Sequence, residues 1–205
     1  LSGRVNQLQN LPESLGQLTG LTSIDLSFNE LTQVPESVIR QLKNLTVLEL
    51  SNNHLIDLPP QVGQLARLYG LNVSFNDLVR LPESIGQLAN LKILLASNNK
   101  LDSLPASFRQ LKNLEALYLH QNQLATLPAW IGSLDNLTGL FLSGNQLTRL
   151  PESISRLKKL SSLYMGFNSF DKVPEVIWQL PSLTKLDLTG NNLTVIPGAI
   201  KNLDN

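Results

Sequence analysis

The chain has 205 residues, a mass of 22.6 kDa and equal numbers of basic and acidic residues, 16 of each. A net charge of zero argues against a nucleic-acid-binding protein, which needs a basic surface to neutralise phosphate groups, and against a disordered acidic tail. The absence of cysteine excludes disulfides, thiolate zinc sites and a catalytic cysteine, and two histidines leave little material for a histidine-based metal site.

A proline that follows Leu, Val or Ile recurs along the whole chain at a spacing of 23 residues, with a single spacing of 24. These prolines are Pro12, Pro35, Pro59, Pro82, Pro105, Pro128, Pro151, Pro174 and Pro197. An asparagine stands six residues before each proline, at Asn6, Asn29, Asn53, Asn76, Asn99, Asn122, Asn145, Asn168 and Asn191. Chance does not produce nine such pairs in register, so the chain is one unit repeated.

Each unit predicts a strand followed by a short helical segment. In Leu-x-x-Leu-x-Leu the last two leucines alternate with other residues, which is the period of a strand with one buried face. Proline then suits the first position of a helix, because its missing N–H would be unpaired there anyway. Ile or Val and then Leu come three and six residues after the proline, so they lie on one helical face.

Two local features modify this pattern along the chain. One early unit carries an extra residue within Glu36–Leu42, which we expect a slightly longer helical turn on the convex side to absorb. Glycine recurs in the helical segment at Gly16, Gly63, Gly86 and Gly132, where we expect it to let neighbouring coils approach closely. Because glycine weakens helix propensity, some of these segments are expected to be 3₁₀ or irregular.

The unit Leu-x-x-Leu-x-Leu-x-x-Asn-x-Leu-x-x-Leu-Pro-x-x-Ile-Gly-x-Leu-x-Asn resembles the leucine-rich repeat family over the whole chain. Its Leu-Pro and Ile-Gly elements are similar to those of Ras-group and Roco-type proteins and of many bacterial proteins. The resemblance implies an α/β solenoid, a right-handed horseshoe segment with a parallel concave sheet of about nine short strands. Short helical or 3₁₀ segments are expected on its convex side.

A single unit is too small to bury its own leucines, so stacked units must share one core. We therefore expect a single domain over residues 1–205, with a partial first unit at 1–20 and eight full units at 21–205. Neither end shows a polar capping segment. The chain is accordingly expected to be a piece of a longer protein, or to have first residues that are disordered or were removed.

The repeated asparagines are predicted to serve the fold. Where each strand ends, the chain turns inward and buries backbone N–H and C=O groups that need partners. An amide side chain supplies both donors and an acceptor, so a column of stacked asparagines can bridge adjacent coils. A ligand-binding ladder is the alternative, and the regular pattern favours the structural interpretation.

One row of residues, between the last two leucines of each strand, is predicted to face out of the core. In chain order it reads Asp25, Glu49, Asn72, Leu95, Tyr118, Phe141, Tyr164 and Asp187. Neighbouring strands lie about 4.8 Å apart, so Tyr118, Phe141 and Tyr164 should stand side by side, with Leu95 and Ile93 extending the apolar surface. Such an exposed patch indicates a partner surface. Alternatively, the aromatic side chains only stabilise the sheet.

Polar residues flank this predicted surface. Asp25 and Glu49 are expected to form a charged rim that attracts a basic feature of the partner. Paired carboxylates can also serve a retaining glycosidase, but no insertion builds an enclosed pocket around them. We expect His120 to make a polar contact on the surface. His54 lies three units away, about 14 Å, so the two histidines cannot share a metal ion.

A further row stands just before the repeated asparagines. It holds an aromatic residue in three units, at Phe28, Phe75 and Phe167. We expect these rings to pack along the rim of the sheet.

The sequence thus predicts a non-enzymatic module that binds a protein or peptide on its concave face. We predict no catalytic residue, cofactor, metal, nucleic-acid partner or membrane span, the last because no run of about 18 apolar residues occurs. The alternatives are a regulatory or targeting segment of a larger enzyme, such as a Roco-type GTPase, a kinase or an effector ligase, and a homodimer. Without cysteine-rich caps, a cytoplasmic location is expected, or that of a bacterial effector delivered to a host cell.

Overall fold

The computed structural model describes residues 1–198, in which three-residue strands alternate with short helices. The strands are β1 (Ser23–Asp25), β2 (Val47–Glu49), β3 (Gly70–Asn72), β4 (Ile93–Leu95), β5 (Ala116–Tyr118), β6 (Gly139–Phe141), β7 (Ser162–Tyr164) and β8 (Lys185–Asp187). The 3₁₀ helices are Glu13–Gln17, Pro60–Gln64, Glu83–Gln87, Ala106–Gln110, Ala129–Ser133, Glu152–Arg156 and Glu175–Gln179. One α-helix, α1 (Glu36–Gln41), follows β1. The end of the predicted last unit, 199–205, lies outside the described residues.

The strands form one open parallel sheet in chain order, β1 to β8. Every strand pairs with the next in the same register, as in Leu94 with Leu117 and Leu95 with Tyr118. The predicted solenoid is confirmed, although the sheet has eight strands where about nine were expected. The first coil contributes only a parallel bridge between Ser2 and Asp25, which is too short to count as a strand.

The core is a continuous stack of leucine rows. The central residue of each strand from β1 to β7, such as Leu71, Leu94 or Leu117, is buried against its counterparts in the neighbouring coils, whereas Leu186 of β8 is partly buried. Helical residues such as Ile85 and Phe108 close the core from the convex side. Because each coil buries its apolar side chains only against its neighbours, the core runs along the solenoid without a centre.

The extra residue of the early unit lengthens a helix, as predicted. In α1 the Ile39 N–H bonds to the Pro35 carbonyl, four residues back, at 3.2 Å. The corresponding turn elsewhere closes over three residues, as between the Ile85 N–H and the Pro82 carbonyl. The strands on either side keep their register, so the additional residue is accommodated entirely on the convex side.

Glycine in the helical segment permits the close approach of neighbouring coils. A Cβ atom built on Gly86 would overlap the backbone carbonyl of Ser107, and one built on Gly132 would overlap that of Ser153. The helices with these glycines also contact the following helix more extensively than does the helix in which Arg109 occupies the position. The predicted role of glycine is therefore confirmed in packing.

The asparagines at the strand ends bridge consecutive coils. Asn99 accepts a hydrogen bond from the Leu78 N–H at 3.0 Å and donates to the carbonyls of Val73 at 3.0 Å and Ala96 at 3.2 Å. Leu78 and Val73 belong to the preceding coil. The same pattern holds at Asn29, Asn53, Asn76, Asn122, Asn145, Asn168 and Asn191. Asn6 is exposed, and its side chain donates only to carbonyls of its own coil.

A second set of side chains bridges the coils just before six of the eight strands of the described chain, β2 and β4 to β8. Amide groups donate to a carbonyl of the preceding coil at 2.7 to 2.9 Å, from Asn44, Asn90, Asn113 and Asn136. Hydroxyl groups do the same at 2.9 to 3.1 Å, from Thr46, Thr138, Ser161 and Thr184. The repeat pattern alone predicts no role for these side chains. They connect the coils at the opposite end of each strand from the buried asparagines.

Replacing Asn122 by alanine is expected to lower the free energy of unfolding by about 2–3 kcal/mol, a fall in Tm of about 5–10 °C. The change leaves the buried N–H of Leu101 without its partner and removes one of the two asparagine bonds to each of the carbonyls of Ala96 and Leu119. Thermal unfolding followed by circular dichroism measures the effect. Asn6→Ala is the matched control and should cost less than about 1 kcal/mol, because Asn6 is exposed. Equal losses in both variants would contradict the bridging role.

Alanine at Gly86 is expected to destabilise the fold by about 1–3 kcal/mol, because the added methyl group meets the Ser107 backbone. Gly20→Ala provides the comparison, since nothing lies within 4 Å of a Cβ atom built there. That substitution should leave stability unchanged or raise it by about 0.4–1 kcal/mol. Urea unfolding curves of both variants test the pair. A Gly86→Ala protein as stable as the wild type would show that close approach does not require glycine.

Candidate functional site

Three aromatic rings form a continuous stack on the concave face. Strands β5, β6 and β7 place Tyr118, Phe141 and Tyr164 in register. The ring centroids of Tyr118 and Phe141 are 4.0 Å apart with an interplanar angle of 4°, and those of Phe141 and Tyr164 are 5.1 Å apart at 19°. All three side chains are half-buried, whereas the flanking residues Leu117 and Leu119 are fully buried. We call these three residues the aromatic ladder.

The stacking determines what the aromatic ladder offers to a ligand. The ring faces of neighbours are turned towards one another, so the ring edges line the concave surface between the strands. Ring edges carry the positive part of the aromatic quadrupole and favour aromatic faces, aliphatic groups or carbonyl oxygens. A planar ligand cannot insert between Tyr118 and Phe141 without separating the rings. The arrangement therefore suits side chains and backbone of a peptide better than flat rings.

Small neighbours allow the rings to lie close to the sheet. A Cβ atom built on Gly139 would come within 2.8 Å of a ring carbon of Phe141. Ala116 and Gly139 pair in the row beside the ladder. At the other side Leu95 pairs with Tyr118, and Ile93 lies in the same strand. The half-buried side chains of Leu95 and Ile93 extend the apolar surface as expected from the strand register.

His120 lies beside the aromatic ladder and not in a metal site. Its Nδ1 atom is 2.8 Å from the Ser97 hydroxyl oxygen, and its ring meets that of Tyr118 edge-on, with centroids 6.4 Å apart. Burial lowers the pKa of His120, which favours the neutral imidazole. His54 lies elsewhere, 3.9 Å from an Asp77 carboxylate oxygen. Residues 1–198 contain no group of three or more His, Asp or Glu side chains placed to hold a metal ion.

The two predicted acidic residues pair across β1 and β2 but differ in environment. Asp25 accepts hydrogen bonds from the Ser27 hydroxyl at 2.6 Å and from the Ser27 N–H at 3.0 Å. Burial alone would raise the pKa of Asp25, but these bonds outweigh it and lower that pKa. Burial raises the pKa of Glu49, and the nearby charge of Asp25 adds to the effect, although a hydrogen bond from Asn72 opposes it. Ionisation in the folded protein is thus less favourable for Glu49 than for Asp25.

The rim phenylalanines are more exposed than the sequence suggested. The rings of Phe28, Phe75 and Phe167 pack along the rim only in part, with side chains 44%, 52% and 60% exposed. All three have a left-handed backbone, with φ of 56°, 55° and 52°. Asparagine or glycine, which adopt this conformation more readily, occupies the position in other coils, such as Asn52 and Gly144. Phenylalanine therefore carries both backbone strain and exposed apolar area at these places.

One of the exposed rings is covered by a cation of the same chain. The guanidinium carbon of Arg4, in the first coil, lies 5.0 Å from the centroid of the Phe28 ring. Arg4 also acts electrostatically on Asp25 and Glu49, lowering the pKa of each. The sequence pattern did not predict this contact, because Arg4 and Phe28 belong to different units and different rows.

Models of known families match most of the chain. A leucine-rich repeat model matches residues 4–65, 126–170 and 136–193, and a model of a leucine-rich repeat region matches residues 39–126. The chain belongs to the leucine-rich repeat family. This leucine-rich repeat chain is also similar to a leucine-rich repeat protein of Leptospira interrogans, with 35% identity and a TM-score of 0.72. That similarity covers 99% of this chain and 63% of the other.

Two further similar structures are complexes. The plant peptide hormone receptor RGFR1 in complex with RGF2 is 30% identical, with a TM-score of 0.84, over 96% of this chain and 33% of that one. The Toll–Spatzle complex of Drosophila gives 27% identity and a TM-score of 0.86, over 98% of this chain and 28% of that one. A similar fold thus occurs in a plant peptide hormone receptor and in the Toll–Spatzle complex.

A curated relative is similar over a shorter stretch. It is a probable serine/threonine-protein kinase of Dictyostelium discoideum, 36% identical over 50 residues, which are 24% of this chain and 4% of that protein. The chain therefore spans less than two thirds of each of these relatives. Among residues 1–198, no helix has the length and apolar character needed to cross a bilayer.

Glu49→Gln is expected to raise Tm slightly at about pH 7 and to make little difference at about pH 3. The folded protein holds the Glu49 proton more tightly than the unfolded chain, whose carboxyl has the ordinary pKa of 4.5. Ionised Glu49 therefore destabilises the fold above that pH, and the effect is lost once both states are protonated. Thermal unfolding at both pH values measures the difference.

Asp25→Asn is the matched control, with the opposite sign. The lowered pKa of Asp25 means that its ionised form stabilises the fold, so the variant should have a lower Tm at about pH 7. This difference should shrink as the pH falls through the pKa of the folded state. A lower Tm for Glu49→Gln at about pH 7 would show that the Glu49 carboxylate is stabilising.

Proposed function

We propose that the chain is a non-enzymatic module that binds a protein or peptide on its concave face, centred on Leu95 and the aromatic ladder. The observation that carries this proposal is the half-buried stack of three rings on the outer side of an open sheet. The core does not need them, because Leu117, Leu140 and Leu163 fill it. Aromatic side chains placed outside the core in this way are enriched among the residues that dominate binding energy.

The surroundings of the aromatic ladder have the composition of an interface. Its apolar centre continues into Leu95 and Ile93, His120 lies beside it, and Glu49 and Asp25 lie two and three strands beyond Leu95. Protein interfaces combine an apolar centre with a polar rim in the same manner. The plant peptide hormone receptor and the Toll complex, similar over nearly the whole chain, support a peptide or protein as the partner.

An enzymatic role has less support from the geometry. Leucine-rich repeat domains are typically binding modules, and Asp25 and Glu49 lie on an open strand face. The hydrogen bonds of Ser27 already engage Asp25, so it serves the local fold. We propose no cofactor, metal or nucleic-acid partner. The cytoplasmic location, and its alternative of an effector delivered to a host cell, stay predictions.

A second candidate is a regulatory or targeting segment of a larger enzyme, of the Roco-type GTPase, kinase or effector-ligase kind. The match of 50 residues to a probable kinase favours this candidate, because the matched stretch is only 4% of that much longer protein. The two candidates are compatible, since a binding face can serve a larger enzyme. Sequencing the complete reading frame tests the second one, and a frame that encodes only these repeats would contradict it.

Alanine at Tyr118 or Phe141 is expected to weaken ligand binding at least tenfold while lowering Tm by only a few degrees. The rings stabilise one another by about 0.5–1.5 kcal/mol, which sets the expected loss of stability. The ligands are peptides selected by the wild-type protein from a phage-displayed library of random sequences of about 12 residues. Fluorescence anisotropy of the labelled peptides measures binding.

Arg156→Ala is the control, because Arg156 lies in a helix on the convex side. It should leave the affinity of every selected peptide unchanged. Peptides that bind the Phe141→Ala variant as well as the wild type would show that the aromatic ladder is not the binding surface. The absence of any selected peptide would contradict peptide binding itself.

A further inference from the structure

The contact between Arg4 and Phe28 has an incomplete copy two units further along the solenoid. Adding 47 residues to Arg4 and Phe28 gives Ser51 and Phe75, because the two intervening units contain 23 and 24 residues. Phe75 repeats the left-handed backbone and the exposure of Phe28. Ser51 is too short to reach a neighbouring ring. Within the described part of the chain, no cation lies over the ring of Phe75.

A carboxylate stands beside the incomplete copy. Glu49 lies two residues before Ser51, and its side chain points to the same concave face. Its half-buried carboxyl is engaged by the Asn72 amide and lies within the electrostatic influence of Arg4, but no basic side chain among residues 1–198 forms an ion pair with it. An aromatic face and a carboxylate together favour a guanidinium group, which stacks on the ring and donates to the oxygen.

We infer that the ring of Phe75 and the carboxylate of Glu49 receive an arginine side chain of an extended peptide, whose apolar residues lie on the aromatic ladder. The first copy shows the contact of a guanidinium with the ring, which the chain's own Arg4 makes, although Ser2 stands there at the position of Glu49. The second copy lacks only the cation. This inference rests on the proposed function and adds to it the identity of the charged residue.

The strand spacing fixes where the arginine stands in the peptide. Glu49 on β2 is three strands from Tyr118 on β5, about 14 Å, and five strands from Tyr164 on β7, about 24 Å. An extended peptide advances about 3.3 Å per residue. The arginine therefore lies about four to seven residues from the aromatic or aliphatic residues that contact the ladder.

The left-handed position of Phe75 supports a binding role over a structural one. Asn52 and Asn98, in the two adjacent coils, hold the same backbone conformation with φ of 56° and 53°. Asparagine tolerates this conformation better than phenylalanine. Phe75→Asn therefore relieves strain and removes exposed apolar area, and the fold loses only the partial packing of the ring along the rim.

The test is the residue composition of the selected peptides. We expect arginine enrichment over the naive library, about four to seven positions from an aromatic or aliphatic residue, when the wild type is the target. A guanidinium on an exposed ring contributes about a two- to fivefold gain in affinity, so Phe75→Asn and Glu49→Gln should each weaken the arginine peptides by about that factor. Replacing the arginine of a selected peptide by glutamine should weaken binding by a similar factor. Once the arginine has been replaced, Phe75→Asn and Glu49→Gln should cause little further loss of affinity.

Two variants provide matched controls. Glu115→Gln removes another carboxylate from the sheet, but one that Lys92 already pairs at 2.8 Å. Gln121→Asn changes the same rim position in another coil. Neither should alter the affinity of the arginine peptides. The Tm of Phe75→Asn should equal or exceed that of the wild type, which separates loss of binding from loss of the fold.

The outcomes distinguish this inference from the proposed function. Peptides that depend on Phe141 but carry no arginine enrichment would overturn the arginine site and leave the concave binding face intact. Lysine enrichment in place of arginine would overturn the preference for a guanidinium. A marked fall in Tm for Phe75→Asn would show that the ring stabilises the fold and would overturn its assignment to the arginine site. Failure to select any peptide would overturn both proposals.

Discussion

The structure depends on satisfying the backbone that is buried where each strand ends. A chain that turns inward after three strand residues leaves N–H and C=O groups without water, and such groups are costly unless they are paired. One asparagine in each coil meets this need by bonding to its own coil and to the preceding one. The bond to the preceding coil recurs from Asn29 to Asn191 between the same two positions of the repeat, with N···O distances of 2.9 to 3.1 Å. Consecutive coils must therefore repeat the same shape, and the common strand register follows.

That register determines the character of the binding surface. Every coil contributes one residue to each row. The residues of one row on the concave face are therefore those at the same position in successive repeats. Neighbouring units with aromatic residues in one row necessarily place the rings against each other, and Tyr118, Phe141 and Tyr164 stack for this reason. Because the backbone repeats, differences in surface chemistry arise almost entirely from the side chains. Acidic, apolar and aromatic segments then succeed one another along a single direction.

Much of this could be predicted from the sequence, because the 23-residue period carries both the core and the register. The leucine rows, the helical insertion, the packing glycines and the concave row all follow from position within the unit. Contacts between different rows could not be predicted in this way. The guanidinium of Arg4 over Phe28 and the carbonyl bonds of Asn44 and Asn136 depend on side-chain conformations that a period does not specify. The exposure of Phe75 likewise depends on a left-handed backbone that phenylalanine itself disfavours.

The single α-helix of the described chain, α1, has a consequence for how such proteins change in evolution. Its extra residue enlarges the convex side while β1 and β2 remain paired in register. Gene duplication and replication slippage can therefore produce units of unequal length without disturbing the residues on the opposite face. Insertions on the convex side are tolerated, whereas an insertion in a strand would shift every side chain after it to the other face. The convex turns are accordingly the places at which a protein engineer can graft a loop into this solenoid.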